Sequence, residues 1–126
     1  MLNVGLKGRQ TEIVTKDKTA EAMGSGGLQV YATPAMIALM EKTAMLSVEK
    51  ELEEGCGTVG TKLEIEHISA TVIGMEITCE SELIEIDRRR LVFSVTAYDN
   101  AGVIGKGKHE RFIIDCAKFM EKAAAK

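Results

Sequence analysis

One stretch limits what this chain can fold into more than any other: Thr33 to about Glu53 reads as a single helix of about twenty residues. Thr33 can cap the free amides, Pro34 suits the first helical position, and Gly55 follows as a stop. The first two turns, Ala35-Met36-Ile37-Ala38-Leu39-Met40, are apolar all round. Glu49-Lys50-Glu51-Leu52-Glu53-Glu54, at the other end, is mostly charged. A helix with no polar side has to be covered on every side, so the pattern predicts a buried front and a wet end.

The rest of the chain supplies the cover. Leu2 to Thr15 carries scattered apolar residues and suits an edge strand or an extended arm. Met23-Gly24-Ser25-Gly26-Gly27 favours neither helix nor strand and reads as a mobile loop. After Gly57 the apolar period becomes two: Leu63, Ile65 and His67 against Lys62, Glu64 and Glu66, then Met75, Ile77 and Cys79 against Glu76, Thr78 and Glu80. Arg90 to Tyr98 and Val103 to Ile114 read as two more strands, joined by Asp99-Asn100-Ala101-Gly102 as a hairpin turn. A short helix is expected from Asp115, with a fraying Ala/Lys tail.

One helix followed by four strands is most economically packed as an antiparallel sheet rolled around the helix, the α+β hotdog arrangement. With 126 residues the chain is expected to form one such domain over residues 1–126. A single curved sheet leaves strand edges open, so pairing of two copies into a homodimer is expected.

Several function classes recede on composition. A net charge of -3 lacks the basic excess of a general nucleic-acid binder. The longest strongly apolar run, Ala35 to Met40, is far short of the ~20 residues that cross a bilayer. The first residues lack a secretory leader, so a cytoplasmic protein without membrane partners is expected. Cys56, Cys79 and Cys116 form no short-spaced pair and read as buried or idle thiols. Two separated histidines without clustered carboxylates make a poor metal-ligand set.

Polar residues that break the apolar pattern are the functional candidates. Glu41 lies within about 60° of Ile37, Ala44 and Val48 on the helix, which places a carboxylate on the apolar stripe. His67 continues the Leu63 and Ile65 face of its strand, which points an imidazole towards the core side. Thr33 stands at a helix start, where free amides and the macrodipole favour a developing oxyanion. Eight residues of helix separate Thr33 from Glu41 by roughly 12 Å, so either Thr33 lies off the helix or the site is completed by a second subunit; the shared site is the expectation. Gly60 marks either a bulge or a place for a ligand to approach the backbone. Arg88-Arg89-Arg90 reads as a basic turn open to a phosphate-bearing carrier. Lys106, Lys108 and Arg111 read as a second basic cluster, and His109, with no partner in the sequence, as a surface residue.

With these residues in view, the chain resembles the fluoroacetyl-CoA thioesterase-like family of hotdog thioesterases. The resemblance runs from Tyr31 to about Phe119 through Tyr31-Ala32-Thr33-Pro34-Ala35-Met36 and Glu41, Gly57-Thr58-Val59-Gly60-Thr61, His67-Ile68-Ser69-Ala70-Thr71 and His109-Glu110-Arg111-Phe112. Val72 stands where the family pattern often has proline. The resemblance implies a catalytic set falling on Thr33, Glu41 and His67, with Gly60 and Arg111 as substrate contacts. It also implies hydrolysis of an acyl thioester, with coenzyme A entering as part of the substrate and no separate cofactor. Met23 to Val30 holds no aromatic residue able to close over a small fluorinated acyl group, so the expected substrate is an ordinary short acyl-CoA or an acyl group on another thiol carrier. Glu41 would activate water or attack to form a transient anhydride, and His67 would carry protons. Two other readings stay open: a binding module that holds acyl-CoA without turnover, and a hotdog dehydratase acting on acyl thioesters.

Overall fold

The computed structural model describes all residues, 1–126. Strand β1 (Lys7–Ile13) is followed by a 3-10 turn at Lys16–Lys18, the short helix α1 (Ala20–Met23) and the long helix α2 (Thr33–Glu49). Strands β2 (Cys56–His67), β3 (Glu76–Asp87), β4 (Arg90–Asp99) and β5 (Gly102–Asp115) then run in succession to helix α3 (Cys116–Ala124). All neighbours in the sheet are antiparallel, in the order β1-β3-β4-β5-β2. The sheet wraps α2, the hotdog arrangement expected from the element order. Met36, Leu39, Met40, Ala44 and Val48 of the helix meet Ile77, Leu83, Leu91, Phe93 and Val95 of the sheet in one continuous core. No helix is long and apolar enough to cross a membrane.

Two sequence expectations change at the helices. Helix α2 ends at Glu49 rather than near Glu53, because Glu49, Glu51, Glu53 and Glu54 have no core to pack on and place negative charge at the negative end of the macrodipole. Its front is not buried all round: Ala38 is exposed and Ile37 only half-buried, so one side of α2 lies uncovered by its own sheet. Helix α1 precedes the expected glycine-rich loop, where the sequence raised no expectation; Thr19 caps it by accepting from the Ala22 amide, and Gly24 ends it at φ 73. The segment leading into α2 is tied down by the Tyr31 and Ala32 amides, which donate to the Thr71 and Lys18 carbonyls.

Across its middle the outer face of the sheet is polar from edge to edge. One cross-strand row runs Lys7, Glu82, Ser94, Lys108, Glu64, and the next runs Arg9, Glu80, Thr96, Lys106, Glu66. Lys106 and Lys108 thus lie opposite Glu66 and Glu64, while Arg111 points to the inner face and is buried. The second basic cluster therefore does not exist as one surface, because residues 108 and 111 fall on opposite sides of a strand whose period is two. The basic turn is also smaller than expected. Arg88 and Arg89 are exposed, but Arg90 is drawn back by Glu85 at 2.7 Å and by Glu110 at 2.9 Å.

Candidate active site

Helix α2 and strand β2 run in opposite directions, so the start of the helix meets the end of the strand. Thr33 is the first helical residue; the cap position belongs to Ala32 and no side chain caps the helix. The Thr33 hydroxyl is free because it turns instead to the imidazole of His67, with Oγ1 2.7 Å from Nδ1. The cap expected of Thr33 is thus corrected, and the pairing gives its hydroxyl a different task. His67 is half-buried and its Nε2 has no hydrogen-bond partner. An open cavity of about 320 Å³ adjoins the pair, lined by Val30, Tyr31, Ile68, Ser69 and Ala70 among others.

Halfway along the same helix a second cluster forms around Glu41. Arg111 is buried, and its Nη1 lies 3.6 Å from Glu41 Oε2, at ion-pair distance. The guanidinium is held from behind: Nε donates to Thr58 Oγ1 at 2.8 Å and Nη2 to the Thr58 carbonyl at 2.9 Å. Gly60 leaves the room in which Glu41 lies, since a Cβ there would sit 2.5 Å from Glu41 Oε2 and 3.3 Å from Arg111 Nη1. The strand is also bulged here, between Gly60 and Lys62. The bulge expected at Gly60 is present, and what approaches its backbone is the carboxylate of Glu41.

The expectation that fails outright is His109. It is fully buried, with Nδ1 2.9 Å from the Lys62 carbonyl and Nε2 3.0 Å from Arg111 Nη1. The signal for it was present in the strand's period. Lys106, Lys108 and Glu110 alternate outward, which turns Gly107, His109 and Arg111 inward.

The structure therefore divides the sequence candidates into two groups. Thr33 and His67 touch; Glu41, Gly60 and Arg111 cluster with His109; and the helical rise of about 12 Å keeps Thr33 and Glu41 of one chain apart.

Comparison with known proteins identifies the arrangement. The family model described as fluoroacetyl-CoA-specific thioesterase matches residues 14–125. The chain belongs to this family. As a member it is a hotdog thioester hydrolase of acyl-CoA. It is 38% identical over 98 residues to the fluoroacetyl-CoA thioesterase of Streptantibioticus cattleyicolor, covering 78% of this chain and 70% of that protein. A solved structure of the fluoroacetyl-CoA thioesterase FlK superposes with a TM-score of 0.94 at 32% identity, over 100% of this chain and 98% of that one. A Thermus thermophilus protein described as a thioesterase superfamily member gives a TM-score of 0.91 at 26% identity, over 99% and 93%.

Burial lowers the proton affinity of both histidines below the ordinary imidazole value of 6.5. In each, desolvation of the charged ring is the main cause. The unfolded chain then binds more protons than the folded one just below pH 6.5, so stability is full above that value and falls as the pH drops towards the folded-state values. Urea unfolding followed from pH 7.5 to 5 should show a midpoint that is flat above about 6.5 and declines below it. A midpoint that rises on acidification would contradict the burial of these two rings.

Proposed function

We infer that Thr33, Glu41 and His67 are the catalytic set of a cytoplasmic thioesterase for short acyl-CoA. The working unit is a homodimer in which each site takes Thr33 and His67 from one protomer and Glu41 from the other. The observation that carries this reading is the division of the polar groups along one open edge. Strand β2 is bonded only to β5, so its other side offers unpaired amides and carbonyls. Antiparallel pairing of β2 with its copy, about an axis between Leu63 and Glu64, brings His67 opposite Gly60 of the partner subunit and so beside the partner subunit's Glu41. The half-buried Ile37 and exposed Ala38 on α2 and the exposed Leu63 and Ile68 give such a pairing apolar surface to cover. Three free cysteines suit a reducing compartment.

The chemistry follows from these positions. The thioester carbonyl oxygen lies against the start of α2, where the macrodipole and the Thr33 hydroxyl favour negative charge. The attacking oxygen comes from water deprotonated by the carboxylate, or from the carboxylate itself with water completing hydrolysis. On either route the tetrahedral centre collapses by breaking the C–S bond, and the proton released by water passes from the carboxylate to His67 and from the imidazolium to the departing thiolate. Gly60 and Arg111 bound the same site on the Glu41 side, and no further cofactor enters the steps.

The acyl group is set by what borders the cavity beside His67. Residues 24–29 carry no aromatic side chain and are exposed, so nothing on this loop closes over the acyl end. Thiol release should therefore be seen with acetyl-, propionyl- and butyryl-CoA, and fluoroacetyl-CoA should be favoured over acetyl-CoA by less than about tenfold. A colorimetric thiol assay over this panel checks both statements. An unsaturated thioester as product would make the protein a dehydratase, and a raised melting temperature without thiol release would make it a binding module.

A further inference from the structure

His109 is a buried titratable group in the Glu41 cluster that the chemistry above leaves unused. Its two ring nitrogens face a carbonyl oxygen and a guanidinium. A carbonyl accepts only and a guanidinium donates only, so both contacts are satisfied by one state of the ring: neutral, with the proton on Nδ1 and a lone pair on Nε2. That tautomer is imposed by the partners, since Arg111 cannot give up its proton. With Nε and Nη2 bound to Thr58, the His109 contact fixes Nη1 as well, and the nitrogen so fixed is the one facing Glu41.

We propose that His109 is a positioning residue of the active site, locked as the neutral Nδ1–H tautomer so that it holds Arg111 in place and Arg111 aligns the Glu41 carboxylate. Protonating His109 would set two donors face to face at 3.0 Å and release the guanidinium. The groups around the ring are Arg111 and Glu110 of β5, Glu41 of α2, the Lys62 carbonyl of β2 and the uncharged Phe93 ring of β4, 6.3 Å between centroids. Burial is the largest influence and opposes a charged ring, as does Arg111, whereas the Lys62 carbonyl and the two carboxylates favour it. The proposal rests on the catalytic reading of Glu41, and its test is arranged so that the two can fail separately.

The chain has two histidines, so long-range proton–nitrogen NMR yields two imidazole patterns, and the one lost in His109→Gln belongs to His109. That pattern should show protonated Nδ1 and bare Nε2, unchanged between pH 7.5 and 6. A protonated Nε2 overturns the proposal. Glutamine can donate to the Lys62 carbonyl and accept from Arg111, whereas leucine can do neither. The kcat for thiol release should fall about ten- to hundredfold in His109→Leu with KM little changed, and stay within about threefold of wild type in His109→Gln. Equal kcat losses in both variants, or none in a folded His109→Leu, would also overturn it. A slowly exchanging Arg111 Nε–H signal should persist in wild type and His109→Gln, and its disappearance from His109→Gln counts against the proposal even if His109→Leu does not fold. If the wild type releases no thiol, the thioesterase reading fails, while the imidazole pattern and the Arg111 signal still decide the role of His109.

Discussion

Glu41→Ala and His67→Ala each lower thiol release by about 10²- to 10⁴-fold, and refolding the two inactive proteins together restores about a quarter of the wild-type rate. The recovery is the telling part. In a mixed dimer, one site receives His67 from the Glu41→Ala chain and Glu41 from the His67→Ala chain, and is whole. The other site lacks both groups. Random pairing makes about half of all dimers mixed, and half of their sites work, hence the quarter. Two sites each confined to one chain would recover nothing, because every site would carry one lesion. The experiment thus separates a shared site from a self-contained one without a structure of the dimer. Mixed dimers verified by affinity tags and still inactive would refute the shared arrangement.

Gly107→Ala should be the most damaging single methyl in the protein. Gly107 lies opposite Ile65 on β2 and Val95 on β4, with its missing side chain on the inner face. A Cβ there would lie far inside contact distance of the Glu64 carbonyl oxygen and 2.9 Å from Ile65 Cα. Both obstacles are backbone, so no side chain can swing aside. The strands β2 and β5 must separate locally, at a cost of about 3 kcal/mol or more and a melting temperature lower by about 10 °C or more. Gly27→Ala is the matched control: no atom lies within 4 Å of its Cβ position, and its melting temperature should stay within about 2 °C of wild type. Differential scanning calorimetry on the two variants decides; an unchanged Gly107→Ala would mean that β5 is not pressed against β2 as described.

What the sequence made readable was whatever depends on local chemistry. The N-terminal boundary of α2 came from Pro34, the β4–β5 turn from Asp99-Asn100-Ala101-Gly102, and the start of α3 from Asp115, whose carboxylate does accept from the Lys118 amide at 3.1 Å. Strand period placed His67 on the inner side. The closing boundary of α2 was misjudged because Glu51 to Glu54 are good helix formers one by one, whereas the missing core beside them and their charge at the negative end of the macrodipole stop the helix at Glu49. The opposite error hid His109: read alone, an imidazole between charged residues looks solvated. Its partners are supplied by Lys62, forty-seven positions away, and by Arg111, which the strand's period also turns inward but whose contact with the ring needs the folded strand. The contact between Thr33 and His67 was likewise beyond local reading, since it needs the antiparallel return of β2 along α2.

The outer face of the sheet has a bearing on how substrate arrives. Each of the two cross-strand rows across its middle carries two cations and two anions, so their fields cancel within a few ångströms of the surface. A nucleotide thioester, with several phosphate charges, is neither drawn to that face nor driven from it. Electrostatic guidance is left to less balanced regions such as the exposed Arg88 and Arg89. Encounter with the broad side of the molecule is then unproductive but brief, which keeps a polyanionic substrate from lodging where no chemistry is done.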